Sequence, residues 1–217
     1  MGRSAERKLR VGSRLSGASD ARNLITSFDQ TDRLLRIDTT LGPDKALLTD
    51  LEGVEAISSL FLFRITLQTL AEEKDLRALL GQEVTLWIGA KTDTDTRPIH
   101  GLMRRISLHH GAESSSLVWQ AEVVPKFWFL SRKADCRIFQ DASSKTLLDK
   151  VLKLHGVDFL DDRTGSFDPK FDYCVQYCET AFDFVSRILE KMGFFIGISL
   201  RPESIQWFWP MKTSMAR

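Results

Sequence analysis

The chain has 217 residues, 43% hydrophobic and 27% charged, and its 30 Lys and Arg against 29 Asp and Glu leave a net charge of +1. That balance excludes the low-hydropathy, high-charge class that stays unfolded, and it supplies no electrostatic footprint for nucleic acid or an anionic membrane. No apolar run is long enough for a membrane-spanning helix, and MGRSAERKLRVGSRLSGASD at 1–20 has no apolar segment behind its basic residues to make a secretory signal.

Residues 1–24 are rich in Arg, Ser, Gly and Ala without an apolar period, and are expected to be a disordered leader. From about residue 33 the period is two. Leu35 and Ile37 alternate with Arg36 and Asp38, and LGPD at 41–44 is a turn signal. Phe61, Phe63, Ile65 and Leu67 share one face of a strand over 60–67, while Gly53 reads as a turn with Glu55 as a structural cap behind it. DLRALLG at 75–81 is a short helical excursion that ends at Gly81. Strands follow at 83–88, 99–108 and 117–125, separated by the polar turns KTDTDTRP and HHGAESSS. Four or five strands joined this way predict an antiparallel sheet or small barrel.

Beyond residue 140 the period becomes helical. Leu147, Leu148, Val151 and Leu152 form one stripe, with Ser143 or Ser144 as cap and Gly156 past the end. A strand is expected at 171–179. A second helix is expected at 180–193, with Thr180 and Asp183 at capping-box spacing and Phe184, Val185, Ile188, Leu189 and Met192 as its apolar face. A buried strand at 194–200 completes the order helix, strand, helix, strand. The last stretch, RPESIQWFWPMKTSMAR, has no period, and its Trp207 and Trp209 have nothing obvious to bury them. The expected class is therefore α+β and β-rich: an antiparallel β-barrel-like domain over 25–132, a smaller α+β domain over 133–200, and an aberrant tail over 201–217.

The sequence holds three cysteines, Cys136, Cys174 and Cys178, and an odd count argues against a disulfide framework. All three are expected as reduced thiols packed like small apolar groups. No nucleophile elbow, phosphate-binding loop, zinc-protease helix or dinucleotide turn is present. His109 and His110 are adjacent at a turn, where in a strand they would face opposite ways. Asp161 and Asp162 read as a surface turn. The Arg104–Arg105 and Arg132–Lys133 pairs read as a solvated face. No catalytic, cofactor-binding or metal residue is assigned, and a binding or assembly module is favoured over an enzyme.

Several collinear segments resemble one family. The opening LLRIDTTLGPDKALLTDLEGVEAISSLFLFRITLQT at 34–69 looks like the start of VgrG proteins of the type VI secretion system. LLGQEVTLWI at 79–88, RPIHGLMRRI at 97–106 and VVPKFWFLSRKADCRIFQDASSKTLLDKVL at 123–152 are similar to later segments of that family. The most specific match is CVQYCETAFDFVSRILEKMGFF at 174–195, with Gln176, Tyr177, Glu179, Thr180, Asp183, Phe184, Val185, Ser186 and Arg187 in place. The resemblance implies a phage-tail-hub-like fold and a homotrimer. In the family, two barrels per subunit make a pseudo-sixfold ring on a hexameric Hcp tube, beside baseplate proteins. It implies no cofactor, no nucleic acid, no stable membrane insertion, cytoplasmic assembly and delivery by the secretion system. The readings set beside it are a phage tail baseplate hub, a cell-wall hydrolase or other effector, and an adaptor binding through Trp207 and Trp209.

Three departures from the family pattern stand out. Cys178 occupies a position where the family commonly has Arg, the leader is longer than usual, and the match stops near residue 196. The expectation from the last is a truncated spike protein, lacking the second barrel and the needle, whose function is weakened or lost.

Overall fold

In the computed structural model the described residues are 6–12, 29–70, 76–89, 96–109, 116–157, 168–197 and 206–208. The first unit is a curled antiparallel sheet, an open half-barrel. Its strands are β1 (Arg7–Gly12), β2 (Leu35–Asp38), β3 (Leu47–Glu55), β4 (Leu62–Leu70), β5 (Glu83–Ile88), β6 (Arg97–His109) and β7 (Ser116–Val124). They lie in the order β1-β3-β4-β7-β6-β5-β2, every neighbouring pair antiparallel.

One face of this sheet is apolar because side chains alternate along each strand. Leu35 and Ile37 of β2, Phe63, Ile65 and Leu67 of β4, Val84 and Leu86 of β5, and Ala121 and Val123 of β7 meet in one core. The turn of 3-10 helix at Leu76–Leu79 adds Leu76 and Leu79. It ends at Gly81 as expected, where φ is +76°. Thr69 and Trp119 each bury a polar group in this sheet. The indole N–H of Trp119 donates to Thr69 Oγ1 at 3.2 Å, which satisfies both where water is excluded.

Seven strands replace the four or five expected. The expected turn at Gly53 is instead the middle of β3, where Gly53 pairs directly with Phe63 of β4 and Leu9 of β1. A Cβ on Gly53 would stand 2.0 Å from Phe63 Cδ1, so the glycine makes room for the ring. A bulge between Leu48 and Asp50 shifts the alternation and hides β3 from a period-two reading. Glu55 is accordingly no cap: it receives both a contact and a 2.6 Å hydrogen bond from Arg97 Nη2. Within the expected leader, Arg7–Gly12 forms β1 along the edge of β3, with Leu9 and Val11 packed against the core. Two apolar residues are too few to announce a strand, and the pairing partner lies forty residues downstream. The rest of that segment, 1–5 and 13–24, lies outside the described residues, as do the polar turns at 91–95 and 110–115.

The second unit gathers its own core. Strand β8 (Ala134–Ser143) leads into helix α1 (Ser144–Lys153), strand β9 (Lys170–Thr180) into helix α2 (Ala181–Lys191), and β10 (Phe195–Gly197) pairs antiparallel with β11 (Gln206–Phe208). Strands β8 and β9 pair as an antiparallel ribbon. The order therefore begins with a strand, β8, that the pattern missed: its residues 134–140 alternate between partly covered and open positions without a continuous apolar face. Phe127 and Leu130, from the 3-10 helix Lys126–Ser131, belong to this core together with residues of α1 and α2, Phe194 and Ile196. In the segment expected as an aberrant tail, residues 206–208 pair with β10; 201–205 and 209–217 lie outside the described residues, Trp209 among them. The two units are stitched by Ser58, whose N–H donates to Ile196 O at 2.9 Å and whose Oγ accepts from Ile196 N at 3.2 Å.

Candidate functional site

The residues of the specific motif at 176–187 converge on the junction between β9 and α2. Thr180 is the N-cap of α2: its Oγ1 accepts from Asp183 N at 3.1 Å and donates to the Asp183 carboxylate at 2.6 Å. One turn later, Arg187 reaches back along the helix. Its Nη2 donates to Val175 O at 2.9 Å and its Nε to Glu179 Oε2 at 3.2 Å, with an ion pair to Glu179 Oε1. The guanidinium also lies over the Phe184 ring. The Glu179 carboxylate raises the Arg187 pKa further, so the cation is permanent. Gln176 is buried and donates to Glu179 O at 3.0 Å.

Gln176, Glu179, Thr180, Asp183 and Arg187 are thus committed to one another or to the adjoining backbone. Glu179 accepts from Arg187, and Asp183 completes the cap of α2 with Thr180. A bracket of this kind orients a helix on a strand.

Helix α1 is anchored in a similar way, by one residue legible in sequence and one that was not. Ser143 caps it, its Oγ accepting from Thr146 N at 3.3 Å. Asp168, far along the chain, accepts from Lys145 N at 2.9 Å and Ser144 Oγ at 2.8 Å. Burial pushes the Asp168 pKa up, but these hydrogen bonds to the charged form outweigh it and the net shift is down. Nothing local marks Asp168, because its partners are more than twenty residues away.

The remaining candidates are dispersed. His100 on β6 shares a 2.9 Å hydrogen bond with Thr85 Oγ1, and burial lowers its pKa against the opposing pull of Glu83. His109 ends β6, while His110, Asp161 and Asp162 lie outside the described residues. Arg104 pairs with Glu122 at 2.8 Å, and both Arg104 and Arg132 lie over the Trp128 ring. A shallow groove on the outer face of the sheet is lined by Glu52, Arg64, Arg105 and Glu122, charges of alternating sign. Among the described residues no three His, Cys, Asp or Glu side chains stand where they could hold one metal ion. No helix among them is long and apolar enough to cross a membrane.

The outer face of the β8–β9 ribbon leaves apolar surface open. Ile138, Tyr173 and Tyr177 share it by the strand alternation, at 63%, 59% and 77% exposure. The cysteines divide around this ribbon. Cys174 is buried among the core residues, as expected, and its pKa is raised by burial. Cys136 and Cys178 are exposed, which corrects the expectation that all three pack as small apolar groups.

An open antiparallel half-barrel followed by a smaller α+β unit is a phage-tail-hub-like fold. Residues 54–199 match the family model described as phage tail baseplate hub (GPD), and the chain belongs to that family. Within it the kinship is to the VgrG spike proteins. The chain is 34% identical over 168 residues to the type VI secretion system spike protein VgrG1c of Pseudomonas aeruginosa, covering 77% of this chain and 23% of that protein. It is 34% identical to VgrG1a of the same organism, covering 76% of this chain and 26% of that protein. The chain thus spans about a quarter of the length of these relatives. Among solved structures, the E. coli c3393 protein, a component of the type VI secretion system, shares the fold with a TM-score of 0.58 at 20% identity, over 76% of this chain and 45% of that one.

Proposed function

We propose that the chain is a hub module of a contractile injection apparatus of the type VI secretion kind, contributing a rigid segment to a ring of subunits seated on an Hcp tube. The observation that carries this reading is the fate of the motif at 176–187: its charged residues are spent on holding β9 to α2, which suits a part that transmits force and not one that makes bonds. The match to spike proteins across the same residues supports the choice of apparatus. Three copies are the assembly the reading calls for, put together in the cytoplasm and delivered with the tube. Closed rotational symmetry requires each copy to present two complementary surfaces to its neighbours. The exposed Ile138, Tyr173 and Tyr177 face supplies apolar area for one of them.

The test is co-expression of the chain with an Hcp tube protein, followed by size-exclusion chromatography and cross-linking mass spectrometry. Co-elution with cross-links to the face of an Hcp hexamer supports the reading. Ile138→Glu with Tyr177→Glu, both at exposed positions, is expected to abolish self-association while leaving the circular dichroism unchanged. A chain that stays monomeric and never meets Hcp, or one that cleaves peptidoglycan, refutes it.

A further inference from the structure

We propose that Cys136 and Cys178 are a reversible disulfide site that clamps the bulged end of the β8–β9 ribbon. Their Sγ atoms stand 3.2 Å apart, and Cys178 N–H donates to Cys136 Sγ at 3.2 Å. Both residues are exposed, so a soluble oxidant can reach them. The register explains how the two sulfurs meet. Asp135 pairs with Glu179 and Arg137 with Gln176, so Cys136 alone on β8 faces both Tyr177 and Cys178 on β9. The extra residue is a β-bulge, and Cys178 sits in it with φ +49°. The sulfurs need to close by only about 1 Å to reach bonding distance, within the reach of small side-chain rotations.

The chemistry balances with a small disulfide such as oxidised glutathione as the oxidant. The thiolate of one cysteine attacks a glutathione sulfur and expels a glutathione thiolate, leaving a mixed disulfide. The second cysteine, once deprotonated, attacks the protein-bound sulfur and expels the second glutathione thiolate. Two protein thiols are oxidised, one glutathione disulfide is reduced to two thiols, and the protons released are taken up by the leaving thiolates. Cys174, buried on the opposite face of β9, is left out.

The clamp acts on the bracket already described. Glu179 and Thr180 follow Cys178 directly, and they hold Arg187 and cap α2. Closing the 136–178 loop covalently therefore ties the entry of α2 to β8 as well as to β9. In a reducing medium the tie is open; in an oxidising one it is shut.

The experiment is treatment of the purified chain with oxidised glutathione, then alkylation under denaturing conditions, digestion and mass spectrometry. The expected result is a fall from three titratable thiols to one, a mass lower by two hydrogen atoms, and a cross-linked peptide pair containing 136 and 178. The melting temperature is expected to rise by about 5–10 °C on oxidation and to fall back with dithiothreitol. Cys174→Ser is expected to keep both effects, and Cys136→Ser to lose both while accumulating a stable glutathione adduct on Cys178. Retention of three thiols in the wild-type chain, separate glutathione adducts on 136 and 178, or a disulfide between two chains would overturn the site. A cross-link without a change in melting temperature would overturn the clamp.

Discussion

Gly53→Ala isolates the closest packing constraint in the half-barrel. A Cβ at this position would lie 2.0 Å from Cδ1, 2.5 Å from Cε1 and 2.7 Å from Cγ of Phe63. Phe63 cannot swing aside: it is fully buried, and the Phe61 ring lies 5.3 Å away centroid to centroid. Overpacking a well-filled core costs about 1–3 kcal/mol, and an approach this close belongs at about 3 kcal/mol. Gly53 is not at positive φ, so the alanine also narrows the unfolded ensemble and returns about 0.4–1 kcal/mol. The net loss is about 2–2.5 kcal/mol, or about 4–10 °C in melting temperature for a chain of this size. Urea titrations should show a lower midpoint with an unchanged slope. The decisive measurement is the double-mutant cycle with Phe63→Leu. If the ring is the cause, Gly53→Ala costs almost nothing on the Phe63→Leu background. A single mutant within about 0.5 kcal/mol of wild type, or two strictly additive effects, refutes the argument.

The bracket and the caps give three further outcomes. Thr180→Ala removes the N-cap of α2 and is expected to cost about 1 kcal/mol by denaturant titration, with Thr180→Ser close to wild type. Arg187→Ala is expected to cost about 1 kcal/mol, a modest figure because the side chain is half exposed. Arg187→Lys should recover only part of it, since a single ammonium cannot serve Val175 O and the Glu179 carboxylate in the same fork geometry; full recovery would argue against the bidentate bracket. Asp168 has a folded pKa below its unfolded value. Its contribution is therefore complete above the ordinary carboxylate pKa of about 4 and is lost as pH falls through the lower, folded value. Asp168→Asn should flatten that part of the stability-versus-pH curve, as followed by helical circular dichroism between about pH 2 and 5; a curve of unchanged shape would count against its capping of α1.

Local pattern carried much of this protein, and the elements it carried share a feature. The strands β2, β4, β5 and β7 have uninterrupted alternation, and the helices α1 and α2 have apolar stripes closed by Ser143 and Thr180 and ended at Gly156 and Gly193. The strands it missed break their own pattern. In β3 a bulge and a glycine interrupt the alternation, β1 offers only Leu9 and Val11, and β8 leaves Ile138 facing solvent. Such strands exist because another strand supplies hydrogen bonds along their whole length, and the partner is invisible in the segment itself.

The site divides along the same line. That Thr180 and Asp183 cap a helix follows from their spacing alone, because a cap is built within four residues. That the whole motif from Gln176 to Arg187 is one structural bracket required the fold, since Arg187 finds Val175 O only when the helix turns back on the strand. Asp168 at the start of α1 and the meeting of Cys136 with Cys178 across a bulge depend on contacts more than twenty residues apart. The sequence by itself determined the family, the β-then-α+β order and the core stripes, because alternation, caps and glycine terminators act over a few residues. Tertiary structure alone decided strands β1 and β3, the glycine beneath Phe63 and the thiol pair, because strand register brings together side chains that the linear order keeps apart.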